Sequence, residues 1–153
     1  MQLRDLHGTP GHLIRRAQQI AVALFMEECA GLDLTPVQYA ALVAVHEHPG
    51  IDATRLSALI AFDRSTLGNV LERLEARKLV QRYASPEDKR VKLLRLSPAG
   101  IAMLARASAP VMRAQQRILA PLKPSDRERL IVLLEQLVEL NNEASRAPQR
   151  AAG

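Results

Sequence analysis

The sequence predicts a mainly α-helical chain with one small β-hairpin, and three observations support this fold class. Apolar residues recur at three- and four-residue steps through most of the chain, as in helices with one buried face. One stretch, residues 80–96, changes to a strand-like alternation around a polar turn. Hydrophobic residues make up 48% of the chain and are mostly aliphatic, since there is no Trp and only two Phe and two Tyr. The 153 residues suffice for one domain, or one domain with an extension, around a substantial core.

The chain is expected to begin irregularly and then to form a long helix. Two glycines and Pro10 oppose helix formation within residues 1–11. From His12 to Cys29 the apolar residues follow a helical period, in a stripe wide enough to pack against more than one surface. Gly31 is a plausible C-terminal stop for this helix.

The next helix has a strong start signal. Thr35 suits the N-cap, and Pro36 suits the first helical position. Gln38 completes a capping box with Thr35. The helix is expected to run to about Glu47, ahead of Pro49-Gly50.

Two closely spaced helices follow. Ile51 is expected to form a short strand, and Asp52 to cap a helix over residues 53–61. After a polar turn, Asp63 is the expected N-cap of a helix with an apolar stripe at Leu67, Val70, Leu71 and Leu74. Two helices this close together are typical of a helix-turn-helix.

The hairpin after these helices suggests a DNA-binding function. Residues 80–84 and 91–96 read as strands on either side of the turn Ser85–Arg90, whose tip carries Lys89 and Arg90. A helix fits the major groove of B-DNA, and an arginine on a thin loop can enter the minor groove. Residues 35–96 are therefore predicted to form a winged helix-turn-helix DNA-binding domain.

The last part of the chain is predicted to hold two more helices. Ser97-Pro98 combines a cap and a proline in the same way as Thr35-Pro36, and Pro110 is expected to kink the helix that follows. A proline-bracketed break at residues 121–124 precedes a second predicted capping box, Ser125–Glu128, and a helix to about Ala144.

The first helix and the last two carry more apolar surface than one small winged helix can cover. Exposed faces of that size usually mark an interface. We therefore expect a homodimer in which residues 1–34 and 97–146 form a helical dimerisation region and residues 147–153 form a flexible tail. A two-fold dimer places its recognition helices about one DNA turn apart, which predicts a pseudo-palindromic operator.

The charge and the cysteine content limit the possible functions. A formal charge of +5, from 21 Lys and Arg against 16 Asp and Glu, suits a polyanionic partner or simply solubility. The clustering of cations on the helix and hairpin favours double-stranded DNA. A single cysteine rules out an internal disulfide framework and is consistent with a reducing cytoplasm.

The sequence indicates neither a membrane protein nor an enzyme. Its apolar runs stay below the roughly 20 residues that span a bilayer, and no signal peptide is indicated. The sequence shows no phosphate-binding glycine loop or nucleophile–base set, and we expect no cofactor. The four histidines, His7, His12, His46 and His48, lack Cys or carboxylate partners at ligand spacing, so a metal site is not expected.

From about Leu13 to Leu140 the chain resembles the MarR family of bacterial transcriptional regulators. The most specific match is the wing, where Asp88-Lys89-Arg90 fits the D-x-R pattern of the family. Leu96 and the following Ser97-Pro98-Ala99-Gly100 fit the L-T-x-x-G opening of the next helix, with Ser97 in place of the usual Thr. The resemblance implies an obligate dimer, DNA binding through a winged helix-turn-helix, and release from DNA when a small, often aromatic and acidic, ligand binds.

The resemblance also implies DNA contacts. Arg90 would reach the minor groove, braced by a charge-assisted hydrogen bond to Asp88. The major groove would face Ser65, Thr66 and Asn69, and further contacts to phosphates or a guanine edge would come from Arg55, Arg64, Arg73 and Lys89. Two plainer interpretations stay open. Ser65 and Thr66 are residue types that favour any helix start, and Asp88 with Arg90 would also fit an exposed turn pair.

Polar residues on the first helix suggest a ligand site. His12, Arg16 and Gln19 share a face by their spacing, and Arg15 lies beside them. An arginine next to an aliphatic core can bind a carboxylate through two parallel hydrogen bonds. The resemblance places the effector between the dimerisation helices and the DNA-reading unit, where Tyr39 would supply a wall and a hydroxyl. Alternatively, Arg15 and Arg16 are surface cations or partners in salt bridges between subunits.

The leading hypothesis is a dimeric repressor released from its operator by a small aromatic acid or its CoA thioester. One alternative is a redox-sensing repressor that uses Cys29, although a buried structural thiol fits that position better, since a second Cys to resolve an oxidised thiol is absent from the sequence. Another alternative is a winged helix that binds protein, with an incidental basic face.

Overall fold

Seven α-helices and three short strands make up residues 2–152, the part of the chain that the computed structural model describes. In chain order they are α1 (Leu3–His7), α2 (Pro10–Glu28), α3 (Pro36–Glu47), β1 (Ile51–Asp52), α4 (Ala53–Leu59), α5 (Arg64–Ala76), β2 (Val80–Ala84), β3 (Lys92–Leu96), α6 (Pro98–Leu119) and α7 (Pro124–Leu140), followed by a 3₁₀ turn at Asn142–Ala144. The predicted fold class, mainly α with a β-hairpin wing, is confirmed.

The strands form one antiparallel sheet in the order β1-β3-β2. β2 and β3 are the predicted hairpin, with Val80 opposite Leu96 and Tyr83 opposite Leu93. β1 adds the predicted third strand, with Ile51 opposite Leu94. The sheet packs on α3, α4 and α5 around fully buried aliphatic side chains, among them Leu42, Val45, Leu56, Leu67, Leu71, Leu74 and Leu94.

The capping signals in the sequence correctly place the starts of α3, α4 and α6. Thr35 accepts from the Gln38 N–H at 3.3 Å while the Gln38 side chain accepts from the Thr35 N–H at 3.0 Å, which is the predicted capping box. Asp52 caps α4 by accepting from the Arg55 N–H at 2.8 Å. Ser97 caps α6 by accepting from the Gly100 N–H at 3.0 Å.

Ser97 and Gly100 also join α6 to the turn between α5 and the wing. The Ser97 N–H donates to the Leu79 carbonyl at 3.0 Å, and its hydroxyl donates to the Lys78 carbonyl at 2.6 Å. A Cβ atom on Gly100 would overlap the Leu79 carbonyl oxygen. This close approach explains why a small hydroxyl residue and a glycine stand three residues apart at the start of α6.

Two helices of the winged unit end in tight left-handed turns without glycine. Ala61 after α4 has φ 51° and Lys78 after α5 has φ 58°. After each residue the backbone N–H bonds back across the turn, from Phe62 to the Ser57 carbonyl and from Leu79 to the Leu74 carbonyl, both at 2.9 Å. These are Schellman-type ends. They fix the angle between α4 and α5 and the entry of the chain into β2.

Two sequence predictions about helix starts are wrong. Of the predicted irregular start, residues 2–11 are described and are largely helical, because α1 spans Leu3–His7 and Pro10 is the first residue of α2, where a missing N–H costs nothing. Ser125–Glu128 is not a capping box, because Lys123 is the N-cap and Pro124 begins α7, which leaves Ser125 inside the first turn. In both places the proline starts the helix earlier than expected.

Three other local predictions need adjustment. Asp63 occupies the N-cap position of α5 but makes no side-chain cap bond to a backbone N–H. After α2 the residue with positive φ is Asp33, at 50°, and not Gly31. α6 continues as one helix through Pro110, and a kink there stays a prediction.

The longest helices pack against each other, and α7 stands apart. α2 lies along α6, and Glu28 receives hydrogen bonds from Arg113 at 2.8 Å and from Arg117 at 3.0 Å. α7 has no buried residue within this single chain. Its exposed apolar side chains are Ile131, Val132, Leu133, Leu134, Leu137, Val138 and Leu140.

The segment after α7, for which the sequence predicts flexibility, makes contacts with the winged unit. The Arg150 N–H donates to the Ala58 carbonyl at 2.9 Å, and the Gln149 side chain donates to the Leu59 carbonyl at 3.1 Å. Both acceptors lie at the C-terminal end of α4.

Candidate nucleic-acid interface

A basic cleft of about 530 Å³ lies between α4, α5 and the wing. Its charged lining is Arg55 from α4, Arg64 from α5, Arg82 from β2, Lys92 from β3 and Arg90 from the wing tip, with one carboxylate, Asp52. The fold thus brings together cations that are up to 37 positions apart in sequence (55 to 92). A concave cationic surface of this kind suits a phosphate backbone.

The tip of the wing holds the predicted arginine–aspartate pair. The Arg90 Nε and Nη2 atoms each donate to the Asp88 carboxylate at 3.1 Å, and the Arg90 backbone N–H donates to the same group at 3.0 Å. These bonds from Arg90 lower the pKa of the Asp88 carboxyl. The Arg90 side chain is 91% exposed, so the pair directs the guanidinium outward into solvent. The predicted bracing contact is therefore present.

The exposed face of α5 carries the predicted polar residues. Arg64, Ser65, Thr66, Asn69 and Arg73 are all exposed, while Leu67, Leu71 and Leu74 are buried on the opposite side. The predicted division of this helix into a core face and a solvent face is confirmed.

Two hydroxyls on α5 are directed at the start of their own helix. Ser65 Oγ donates to the Asp63 carboxylate at 2.6 Å, and Thr66 Oγ1 donates to the Asp63 carbonyl at 3.1 Å. The bond from Ser65 lowers the pKa of Asp63. In this geometry both residues act as local helix-start residues, the plainer interpretation. Their oxygen lone pairs stay free to accept a bond from a base.

Sequence reasoning missed Arg82 and Lys92 as members of the site. Arg82 lines the cleft and forms a salt bridge with Glu75 of α5 at 3.1 Å, which links the wing to α5. Lys92 lies opposite Ala84 in the sheet and lines the same cleft. The available signal was strand alternation, which puts Arg82 and Ala84 on one face of β2, and Lys92 lies opposite Ala84.

In the polar cluster on α2, Arg15 contacts both His12 and Gln19. Arg15 bonds Gln19 Oε1 at 3.3 Å and the His12 Nδ1 atom at 3.4 Å, whereas Arg16 makes neither contact. Residues three and four apart on a helix are neighbours, so Arg15 lies between the two partners. Partial desolvation, then the charge of Arg15, lowers the pKa of His12. A neutral His12 ring suits the acceptor role that Arg15 requires.

Tyr39 lies apart from this cluster in the single chain. Its ring packs against Phe25, with 6.2 Å between ring centroids. Phe25 is six residues beyond Gln19 on α2, which is about 9 Å of helix. Arg15, Arg16 and Gln19 are exposed. One chain therefore supplies separate parts of the predicted ligand site and does not by itself enclose it.

Cys29 is buried, with 2% of its surface exposed. Burial, then the charge of Glu28, raises the pKa of its thiol. A thiol in this state reacts slowly, because the thiolate is the reactive form. These properties favour the structural role over redox sensing.

Residues 2–152 contain neither a candidate metal-ion site nor a helix that could span a membrane. No group of three or more His, Cys, Asp or Glu side chains in this range is placed to hold a metal ion. Every helix in the same range is too short or too polar to cross a lipid bilayer.

Known relatives are transcriptional regulators. The chain is 33% identical to a putative transcriptional regulatory protein for the hcr operon of Thauera aromatica, over 91% of this chain and 84% of that protein. It is 28% identical to the transcriptional repressor NicR of Pseudomonas putida, over 92% of this chain and 89% of NicR. Neither relative is described as an enzyme.

Solved structures show the same fold. The repressor CouR bound to a 23-mer DNA duplex has a TM-score of 0.81 at 29% identity, over 90% of this chain and 98% of CouR. PcaV of Streptomyces coelicolor in complex with its natural ligand scores 0.79 at 32% identity, over 91% and 98%. BpsR of Bordetella bronchiseptica, whose DNA binding is regulated by 6-hydroxynicotinic acid, scores 0.80 at 30% identity, over 86% and 94%.

A family model described as the MarR family matches residues 32–91, which include α3, α4, α5, the hairpin turn and all but the last strand of the winged unit. The cleft, the wing pair and the exposed face of α5 all lie on this unit. Together with the full-length similarity to regulators, this match shows that the chain belongs to the MarR family of DNA-binding transcriptional regulators.

Proposed function

We propose that this chain is a homodimeric transcriptional repressor that binds a pseudo-palindromic operator and is released by a small aromatic carboxylate or its CoA thioester. The observation that carries the proposal is the basic cleft between α4, α5 and the wing. Its position between a helix and a hairpin suits α5 in a major groove and the wing on the adjacent backbone.

We assign the DNA contacts as follows. Ser65, Thr66 and Asn69 face the bases in the major groove, and Arg90 enters the minor groove with Asp88 fixing its direction. Phosphates are neutralised by cations that line the cleft, Arg55, Arg64, Arg82 and Lys92, and by two outside its lining, Arg73 of α5 and Lys89 of the wing. The CouR complex with DNA supports this arrangement for a similar fold.

The dimer is supported by apolar surface that the single chain leaves uncovered. Leu13, Ile14 and Ile20 of α2 are each at least half exposed, as is Leu133 of α7. A second copy that covers these faces would account for residues 2–34 and 97–146 as a dimerisation region. The winged unit, residues 35–96, would then be presented twice to one duplex.

The effector site is assigned to the polar cluster of α2, where the second copy would close it. Arg15 offers a fork of N–H donors to a carboxylate, and a neutral His12 accepts or donates one further bond. The 6-hydroxynicotinic acid that regulates BpsR and the natural ligand of PcaV are examples of small ligands acting on relatives of this fold. Arg16, Gln19 and Tyr39 remain assigned to its border.

A titration of the purified protein with fluorescent duplexes tests the proposal. We expect tight binding to a pseudo-palindromic site from the promoter region of its own gene, a steep salt dependence, and release by an aromatic carboxylate that also raises the melting temperature. Equal affinity for operator and scrambled duplexes at physiological salt would contradict sequence-specific regulation. An Arg15→Ala variant that still releases DNA with every active acid would contradict the effector site.

A further inference from the structure

The nine residues 142–150, which follow α7, form a loop with defined contacts. Asn142 pairs with the backbone of Gln149, donating to its carbonyl at 3.1 Å and accepting from its N–H at 2.8 Å. Arg150 donates to the Glu143 carboxylate at 2.9 Å. These two cross-links close residues 142–150, here called the clasp, into a compact loop whose ends meet.

The clasp contacts the turn between α4 and α5. Its two bonds to the Ala58 and Leu59 carbonyls satisfy groups that a helix end leaves without intrahelical partners. Arg146 lies 3.7 Å from the carboxylate of Asp63, the N-cap residue of α5. The contacts therefore converge on the point from which the recognition helix starts.

Because of this placement, the clasp connects α7 to the winged unit. α7 has no buried residue in the chain, whereas the loop that follows it is hydrogen-bonded to α4. A movement of α7 would therefore reach the start of α5 through residues 142–150. The Arg146 guanidinium also offsets the Asp63 charge, which would repel phosphate at the start of α5.

We propose that the clasp is a positioning segment that sets the orientation of the recognition helix relative to α7, and so relative to the second half-site. The proposal rests on the proposed function for its consequence on DNA. Its structural part, the fixed relation of α5 to α7, stands apart from DNA binding and can be measured without it.

The first experiment measures that relation directly. Spin labels are attached to cysteines introduced by Glu72→Cys on α5 and Glu135→Cys on α7, in a Cys29→Ala background. The labelled protein is mixed with excess unlabelled protein, so that the distance between the two labels of one chain dominates the signal. We expect a narrow distance distribution that broadens at least about twofold in the double variant Asn142→Ala/Gln149→Ala. The matched control is Asn141→Ala, because within residues 2–152 the Asn141 side-chain amide bonds only the Leu137 carbonyl of α7. An unchanged width in the double variant overturns the proposal.

The second experiment measures the consequence on DNA. Wild-type protein should prefer the operator over a duplex with one base pair inserted between the half-sites, and we expect the double variant to lose most of this preference. Light scattering should show that the double variant and the wild type have the same mass. The change Arg150→Glu should have the same effect, and the charge swap Glu143→Arg/Arg150→Glu should restore the preference, because the ion pair is rebuilt. A variant that keeps the wild-type spacing preference overturns the proposal. A third outcome separates the two proposals. If wild-type protein does not bind the operator but the double variant still broadens the distance distribution, the proposed function is refuted and the positioning role of the clasp stands.

Discussion

At the scale of single residues, the decisive arrangement is an exposed arginine held by a neighbouring carboxylate. Surface ion pairs contribute little to folding stability, because water screens both charges. The pair of Asp88 and Arg90 is bidentate, so its effect is to restrict the direction of a guanidinium that solvent would otherwise leave mobile. Such restriction favours DNA binding, since less side-chain entropy is lost in the complex.

The change Arg90→Ala tests this residue. We expect weaker binding to specific and non-specific duplexes alike and a decrease of about one in the slope of log affinity against log salt, because one cation leaves the interface. Anisotropy titrations at four salt concentrations measure both quantities. Arg106→Ala is the control, since Arg106 is an exposed arginine on α6 outside the cleft. An Arg90 variant with the wild-type salt slope would refute the wing assignment.

At the scale of secondary-structure elements, the stability of the winged unit depends on a close approach between the start of α6 and the turn after α5. The start of α6 lies against the backbone of Leu79, and Ser97 bonds the carbonyls of both Lys78 and Leu79. These contacts link the end of the recognition helix, the wing and the helix that leads to α7. A small change at this junction should therefore affect the whole winged unit.

A pair of glycine substitutions tests the junction. Gly100→Ala is expected to lower the free energy of unfolding by about 3 kcal/mol, because the added methyl overlaps the Leu79 carbonyl and the backbone must shift. Gly68→Ala in α5 is the matched control, since a Cβ there meets no atom within 4 Å. That change should raise the free energy of unfolding by about 0.5–1 kcal/mol through helix propensity. Urea titrations followed by circular dichroism measure the free energy of unfolding of both variants. Equal changes in the two variants would contradict a close contact between Gly100 and Leu79.

The contact of α2 with α6 has its own pH dependence. Hydrogen bonds from Arg113 and Arg117 hold the pKa of Glu28 below its ordinary value of 4.5. Because the pKa of Glu28 is lower in the folded state, its ionised carboxylate stabilises the fold at pH values above 4.5. This stabilisation is lost as the pH falls through the pKa of the folded state. Replacing Glu28 with Gln should therefore lower the melting temperature at pH 7, and the difference should shrink at a pH well below 4.5 as Glu28 becomes protonated. A melting-temperature difference that is the same at both pH values would exclude this linkage.

At the scale of the whole molecule, the exposed apolar surface of α7 and α2 is the dominant feature. Leu140 is 85% exposed and Val138 is 64% exposed in the single chain. A monomer with this surface would associate or aggregate, because apolar area in contact with water is costly. The charged winged unit shows no comparable surface, so the chain divides into an apolar part suited to self-association and a basic part suited to DNA.

The change Leu137→Glu tests the proposed dimer. We expect light scattering to report a monomer and operator affinity to fall by at least about 100-fold, because two linked half-site contacts become one. Helical content by circular dichroism should change little. Ala30→Glu adds the same charge in the exposed turn after α2 and serves as the control. A Leu137→Glu variant that stays dimeric would show that α7 does not form the interface.

The helix starts show how far local sequence reasoning reaches. Caps at Thr35, Asp52 and Ser97 are confirmed, because a cap depends on a few neighbouring atoms. The same reasoning failed at Pro10, where a proline was counted against a helix that it begins. The periodicity of α5 predicted its buried and exposed faces, since burial of one face dictates which positions are apolar.

The site was harder to predict than the fold. The pairing of Asp88 with Arg90 is local and follows from their spacing in a turn. Arg82 and Lys92 join the cleft only because two strands pair in register. Spacing left the choice between Arg15 and Arg16 open, and in the structure it is the Arg15 side chain that contacts His12 and Gln19.

The order of the helices and strands from α2 onward, the basic hairpin, the two faces of α5 and the family were all predictable from the sequence, because each depends on residues close together in the chain. Three features required the folded structure: which distant cations share a cleft, how closely Gly100 approaches Leu79, and where residues 142–150 attach. Those contacts join segments that lie far apart in sequence, and their geometry follows from the packing of the whole chain.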